Sequence, residues 1–197
     1  MKIRTLICAF AAAALAFTGC SNARSDENQT LGTIFSRYSV RSYTGEKVSS
    51  EQIETLLRAG MAAPTGMGQQ PWRFVVVTDP DVMDRMTNWG ADTWKAAGTV
   101  IVVCGKTTMG ENNDPNPLWQ YDCAAVCENI LLAAKSMGLG AVWNAAYPFE
   151  DVYGPCREAL GIPEDIMPMA VIPVGIESGS EEPKQKFDAA KIHYEKW

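Results

Sequence analysis

Ala63-Pro64-Thr65-Gly66-Met67-Gly68-Gln69-Gln70-Pro71-Trp72-Arg73-Phe74 is the stretch from which the fold is read. It begins where an amphipathic helix ends and stops where a strand starts. Upstream, Ile53, Leu56, Leu57 and Met61 recur at helical spacing, and Ser49 with Gln52 makes a capping-box pair at the helix start. Pro64, Gly66 and Gly68 forbid further helix, and the Val75-Val76-Val77 run beyond them is β-branched. A helix–loop–strand join of this composition leaves bare backbone N–H groups and one small hydroxyl at a sheet edge. It serves equally as a seat for a flat polar ligand and as an ordinary tight connection, since turns are rich in Gly and Pro anyway.

On the N-terminal side, residues 31–36 read as helix and run into Arg37-Tyr38-Ser39-Val40-Arg41-Ser42-Tyr43. In an extended chain Arg37, Ser39 and Arg41 alternate onto one side. Two guanidinium forks beside a hydroxyl either form a solvated face or grip a phosphate. On the C-terminal side, Asp79-Pro80 ends the first strand, and residues 81–97 are helical pieces broken at Asn88-Trp89-Gly90. Thr99 to Cys104 is apolar on both faces, as suits a central strand covered on two sides. Residues 105–118 form a polar, turn-rich excursion of the length that lids and specificity loops have. Trp119 to Met137 is a helix apolar nearly all round, buried in the core or against a partner subunit, and Gly138-Leu139-Gly140 stops it. A strand and turn over 141–146, a helix to about Leu160 and a buried strand over 169–175 follow. Helices mixed with apolar strands give an α/β or α+β domain over residues 31–197, with no repeat and no second boundary.

The first residues are set apart from that domain. Lys2 and Arg4 precede an apolar run from Leu6 to Phe17, and Thr18-Gly19-Cys20 follows. A charged start, a short apolar middle and small residues at a cleavage point make 1–19 a signal peptide. Its ending resembles a bacterial lipoprotein signal, with Cys20 lipidated, although Phe17 stands where Leu is usual. Residues 20–30 are polar and read as a flexible tether. This arrangement places the protein outside the cytoplasm, anchored to a membrane on its periplasmic or cell-surface side.

Among 197 residues the formal charge is −6, and no basic run appears, which speaks against nucleic acid as a partner. Cys104, Cys123, Cys127 and Cys156 remain beyond the signal; four cysteines allow three pairings, and buried free thiols are the simpler reading. With His193 the lone histidine and no CxxC, no metal site is expected.

Taken together, Arg37-x-Ser39-Val40-Arg41, Ala63-Pro64-Thr65, Gln70-Pro71-Trp72-Arg73-Phe74, Gly138-Leu139-Gly140-Ala141-Val142-Trp143 and Lys184-x-Lys186 resemble the nitroreductase family of FMN-dependent oxidoreductases. The resemblance spans residues 31–197 in order and spacing. It implies an α+β sheet core flanked by helices, in an obligate homodimer with swapped terminal segments and one FMN in each interface cleft. By similarity, Arg37, Tyr38, Ser39 and Arg41 would contact the flavin, with Lys184 and Lys186 adding charge at its phosphate. Pro64, Thr65, Gly66 and Gly68 would approach from the other subunit. Trp143, Asn144, Ala145 and Ala146 would line the ring, with the N–H of Ala145 or Ala146 near N5. The flavin does the chemistry in such proteins, so no catalytic side chain is named. The implied reaction is ping-pong hydride transfer from NAD(P)H through N5 to a nitroaromatic, quinone or similar flat acceptor. Export favours a second possibility, a flavin-binding or electron-relay lipoprotein with little NAD(P)H turnover. Two positions depart from the family pattern: Gly68 stands where Asn is common, and Ala145-Ala146 replaces a pair that often holds Glu or Gly.

Overall fold

β2 (Thr99–Lys106) is buried along seven of its eight residues, as its unbroken apolar run requires of a strand covered on both faces. The computed structural model describes residues 22–179 and 181–197. β2 pairs antiparallel with β1 (Trp72–Val77) on one side and with β7 (Ile166–Gly175) on the other. Two short strands, β5 (Gly140–Ala141) and β6 (Asn144–Ala145), also pair antiparallel with β7. Period-2 alternation then sorts the side chains. Ile101, Val103, Ile172 and Val174 pack with α2 (Ser50–Met61) and α5 (Trp119–Ser136). Val100, Val102, Cys104 and Val171 share the opposite core with residues of α3 (Pro80–Arg85), α4 (Asp92–Ala97) and α6 (Glu150–Leu160). The result is a helix–sheet–helix sandwich of the α+β class.

The local punctuation follows the sequence. Ser49 and Gln52 form both hydrogen bonds of a capping box, at 3.2 and 2.9 Å. Asp79 caps α3 by accepting from the Asp81 N–H, with Pro80 at the first helical position, where its missing N–H costs nothing. Gly138, at φ 73°, ends α5, and the Leu139 N–H returns to the Ala134 carbonyl. The 105–118 excursion is not wholly irregular, since β3 (Thr108–Met109) and β4 (Asp114–Pro115) pair within it.

One expectation changes and another narrows to one of its two alternatives. Residues 22–30, read as tether from their polarity, are the first turns of α1 (Asn22–Ser36). They contain neither Gly nor Pro, so a helix seeded at 31–36 propagates upstream. α5 is not buried all round within one chain, because Leu132 and Ala133 line an open groove with Ile34 and Ala59. The signal peptide 1–19 and Cys20 lie outside the described residues. Among the described residues, no helix is long and apolar enough to cross a membrane. The four cysteines from 104 onward are free and buried, and burial pushes the thiols of Cys104, Cys123 and Cys156 up to about 12.

Candidate functional site

Residues 37–43 are drawn onto the sheet edge by a glycine. A Cβ on Gly140 would lie 2.6 Å from Val40 Cγ1, so only a bare backbone lets Val40 settle there. The Val40 N–H donates to the Ala141 carbonyl, the Tyr43 hydroxyl donates to the Val40 carbonyl at 2.7 Å, and Tyr43 bridges to Glu177 just past β7. Arg37, Tyr38, Ser39 and Arg41 thereby come to share one cavity of about 240 Å³ with Lys184 and Lys186. All six were singled out in the sequence.

Glu181 and Glu182 line the same cavity. Even so, among the described residues Arg41, Lys184 and Lys186 form no ion pair, and Arg41 donates only to the carbonyl of Ser39. Arg37 is tied to Glu128 at 3.4 Å. Converging cations without carboxylate partners make a seat for an anion, and a phosphate has the charge and oxygens to fill it. Tyr38 is committed elsewhere. Its hydroxyl donates to both oxygens of Glu177, at 2.7 and 2.8 Å, and that hydrogen bond, helped by burial, pushes the phenol up to about 12.

The loop from Ala63 to Gln70 lines neither this cavity nor the one described next. It holds an unusual backbone, with Met67 at φ 50°, Gly68 at 66° and Gln70 at 46°. The Thr65 hydroxyl donates to one oxygen of Asp122 at 3.0 Å and accepts the Gln70 N–H at 2.9 Å, while the Gly66 N–H donates to the other oxygen at 2.9 Å. A Cβ on Gly66 would stand 2.4 Å from Leu118 Cδ1, so the leucine side chain would have to turn aside to admit one.

The 143–146 quartet divides. Trp143 packs half-buried against the α2/α5 core, whereas Asn144 and Ala145 line a second cavity of about 310 Å³. Trp89, Trp94 and Phe149 form its aromatic walls. Ala146 is fully buried and its N–H donates to the Met169 carbonyl at 3.0 Å, so Ala146 drops out as a donor to a ligand. Because N–H groups alternate along an antiparallel ladder, the Ala145 N–H is turned away from β7.

Sequence reasoning gave the choice of acceptor to loops 88–97 and 105–118 without singling out Trp89 or Trp94, and it missed Phe149 as a cavity wall and Asp122 and Glu177 as anchors. The exposure of Trp89 and Phe149 carries no sequence signal. Asp122 did carry one: a charged residue directly before Cys123-Ala124-Ala125-Val126 in an otherwise apolar helix is out of place unless something holds it. The assembled features are an unpaired cationic seat and an aromatic-walled slot beside an outward N–H. The first has the charge a phosphate takes and the second the shape a planar ring takes.

A sequence model described as the nitroreductase family matches residues 34–100 and 85–176. A protein of Archaeoglobus fulgidus with the provisional name NADH dehydrogenase/NAD(P)H nitroreductase is 38% identical over 176 residues, covering 86% of this chain and 99% of its own length. A solved structure from Bacteroides thetaiotaomicron with the same provisional name is 45% identical. It covers 85% of this chain and 98% of that one, with a TM-score of 0.78. The FMN reductase (NADPH) of Bacillus subtilis is 23% identical over 185 residues, 85% of this chain and 74% of its own.

Proposed function

The chain belongs to the nitroreductase family, and from that membership we propose that it is an FMN-dependent oxidoreductase drawing electrons from NAD(P)H. Its acceptor is a flat aromatic such as a nitroaromatic or a quinone. The observation that carries this reading is the cavity where Arg41, Lys184 and Lys186 converge without carboxylate partners. When bound, FMN would supply the two-electron redox chemistry that links the nicotinamide donor to the acceptor.

The chain's own residues bind and orient. Arg41, Lys184 and Lys186 hold the phosphate, with Arg37 and Ser39 beside them. The outward N–H of Ala145 is the donor available near the ring, where it favours charge developing on reduction. Trp89, Trp94 and Phe149 bound a slot that suits a planar acceptor and keeps water from its faces. The loop carrying Pro64, Thr65, Gly66 and Gly68 sits apart from the cationic cavity in one chain. The reading therefore makes the protein a homodimer with exchanged terminal segments, each loop serving the partner's cradle. It also keeps the protein outside the cytoplasm, held to a membrane by lipid on Cys20.

The test is optical. Protein purified without residues 1–19 and supplied with FMN is expected to be yellow, and NADH or NADPH is expected to bleach it without oxygen; a quinone or nitroaromatic then restores the colour. Colourless protein that ignores added FMN would overturn the reading. A yellow protein that neither nucleotide bleaches would replace it with an electron-relay role.

A further inference from the structure

Asp122 lies on the first turn of α5, 5% exposed, and among the described residues it has no cationic partner. A buried carboxylate so placed is held by hydrogen-bond donors alone. Two of them come from one loop: the Thr65 hydroxyl reaches one oxygen, the Gly66 N–H the other. Thr65 carries the hold further, since its oxygen accepts the Gln70 N–H five residues on. One side chain thus pins both ends of the segment that contains Met67, Gly68 and Gln70 at left-handed φ. Met67 and Gln70 are not glycines and do not adopt that backbone unaided. Leu118, one turn earlier on the same helix end, presses on the bare Cα of Gly66 from another side.

We propose that Asp122 is a positioning residue that locks residues 65–70 into the shape in which this loop serves as a wall of the flavin site. The inference rests on the FMN reading above and adds to it a residue that need not touch the cofactor. The chemistry requires Asp. Both oxygens must accept, and an Asn would turn an NH2 group either at the Gly66 N–H or at a Thr65 hydroxyl left without an acceptor. Loss of the lock frees the left-handed residues to relax toward ordinary backbone, and the loop then has to be ordered again each time FMN binds.

The test compares Asp122→Asn, Thr65→Val and Thr65→Ser with the wild-type protein. FMN affinity is measured by quenching of flavin fluorescence, and exchange of the Gly66 and Gln70 amide protons is followed in the flavin-free protein. Asp122→Asn and Thr65→Val are expected to raise the FMN dissociation constant at least tenfold and to speed exchange at Gln70 at least tenfold. Thr65→Ser, which keeps the hydroxyl, is expected to leave exchange at Gln70 within about twofold of the wild-type rate. Thr65→Val carries the test should Asp122→Asn fail to fold. Folded Asp122→Asn or Thr65→Val protein with wild-type affinity and wild-type exchange would overturn the proposal while leaving the functional reading intact. A wild-type protein without affinity for FMN would overturn both.

Discussion

Tyr38 lines a cavity with four cations, yet it gives its proton's hydrogen bond to a carboxylate. Glu177 accepts through both oxygens, and the Lys135 ammonium lies 4.7 Å above the ring. The hydrogen bond to Glu177 and then burial raise this phenol from the ordinary value near 10 to about 12; burial likewise raises Tyr43. The folded chain therefore keeps protons that the unfolded chain has released, and the linked stability is whole below about pH 10 and lost as pH climbs through the folded value near 12. In a spectrophotometric titration, Tyr38 and Tyr43 are expected to ionise late against the denatured protein. Tyr38→Phe is expected to remove one late phenol and to flatten the fall of stability above pH 10. Ionisation of all six tyrosines near their ordinary value in the folded state would count against the Tyr38–Glu177 pair. Tyr38 was read from the sequence as a flavin contact, and its pairing with Glu177 was not visible because 139 positions separate the two residues.

At the scale of elements, two paired glycines decide how closely the cradle can approach the sheet. Gly140 faces Gly175 in the β5–β7 ladder. A Cβ on Gly140 would strike Val40, and one on Gly175 would lie 2.5 Å from the backbone oxygen of Ala97 at the end of α4. A side chain can shift, but a helix backbone packed on a strand cannot do so cheaply. Gly175→Ala is therefore expected to destabilise the fold by about 2–3 kcal/mol or more, and Gly140→Ala by about 1–2 kcal/mol, with weaker FMN binding in the second because Val40 carries residues 37–41 with it. Gly32, inside α1 with nothing within 4 Å of a Cβ built on it, gives the opposite sign, and Gly32→Ala is expected to stabilise by about 0.5–1 kcal/mol. Urea unfolding of the three variants reads the order directly. Elements with a local cause were legible in the sequence: the Ser49–Gln52 cap, the break at Asn88-Trp89-Gly90, the doubly covered β2 and the Gly138 stop. The start of α1 was not, since polarity alone does not separate a solvent-exposed helix from a tether when no breaker is present. The second cavity was not either, because residues from Thr87 to Val152 meet there only once the chain has folded.

For the whole molecule the decisive fact is separation. The cationic cradle and the loop from Ala63 to Gln70 belong to one chain but share no cavity within it. Leu31, Ile34 and Phe35 on α1 are 45%, 44% and 73% exposed, and Leu132 and Ala133 of α5 line an open groove, so apolar surface remains to be covered. If two copies meet there and each loop completes the other's cradle, damage to the two halves of the site can be complemented. Arg41→Ala with Lys186→Ala removes cradle charge and is expected to weaken FMN binding by about 10- to 100-fold, discounted for exposure. Gly66→Val breaks the loop against Leu118. Each variant alone is expected to hold little flavin. Unfolded and refolded as an equal mixture, half of the dimers carry one chain of each kind. Each mixed dimer has one site built from an intact cradle and an intact loop and one site damaged in both, so about a quarter of all sites regain FMN under two-fold symmetry. A cradle completed by its own chain's loop gives no recovery on mixing, and flavin content in the mixture then stays at the average of the two variants.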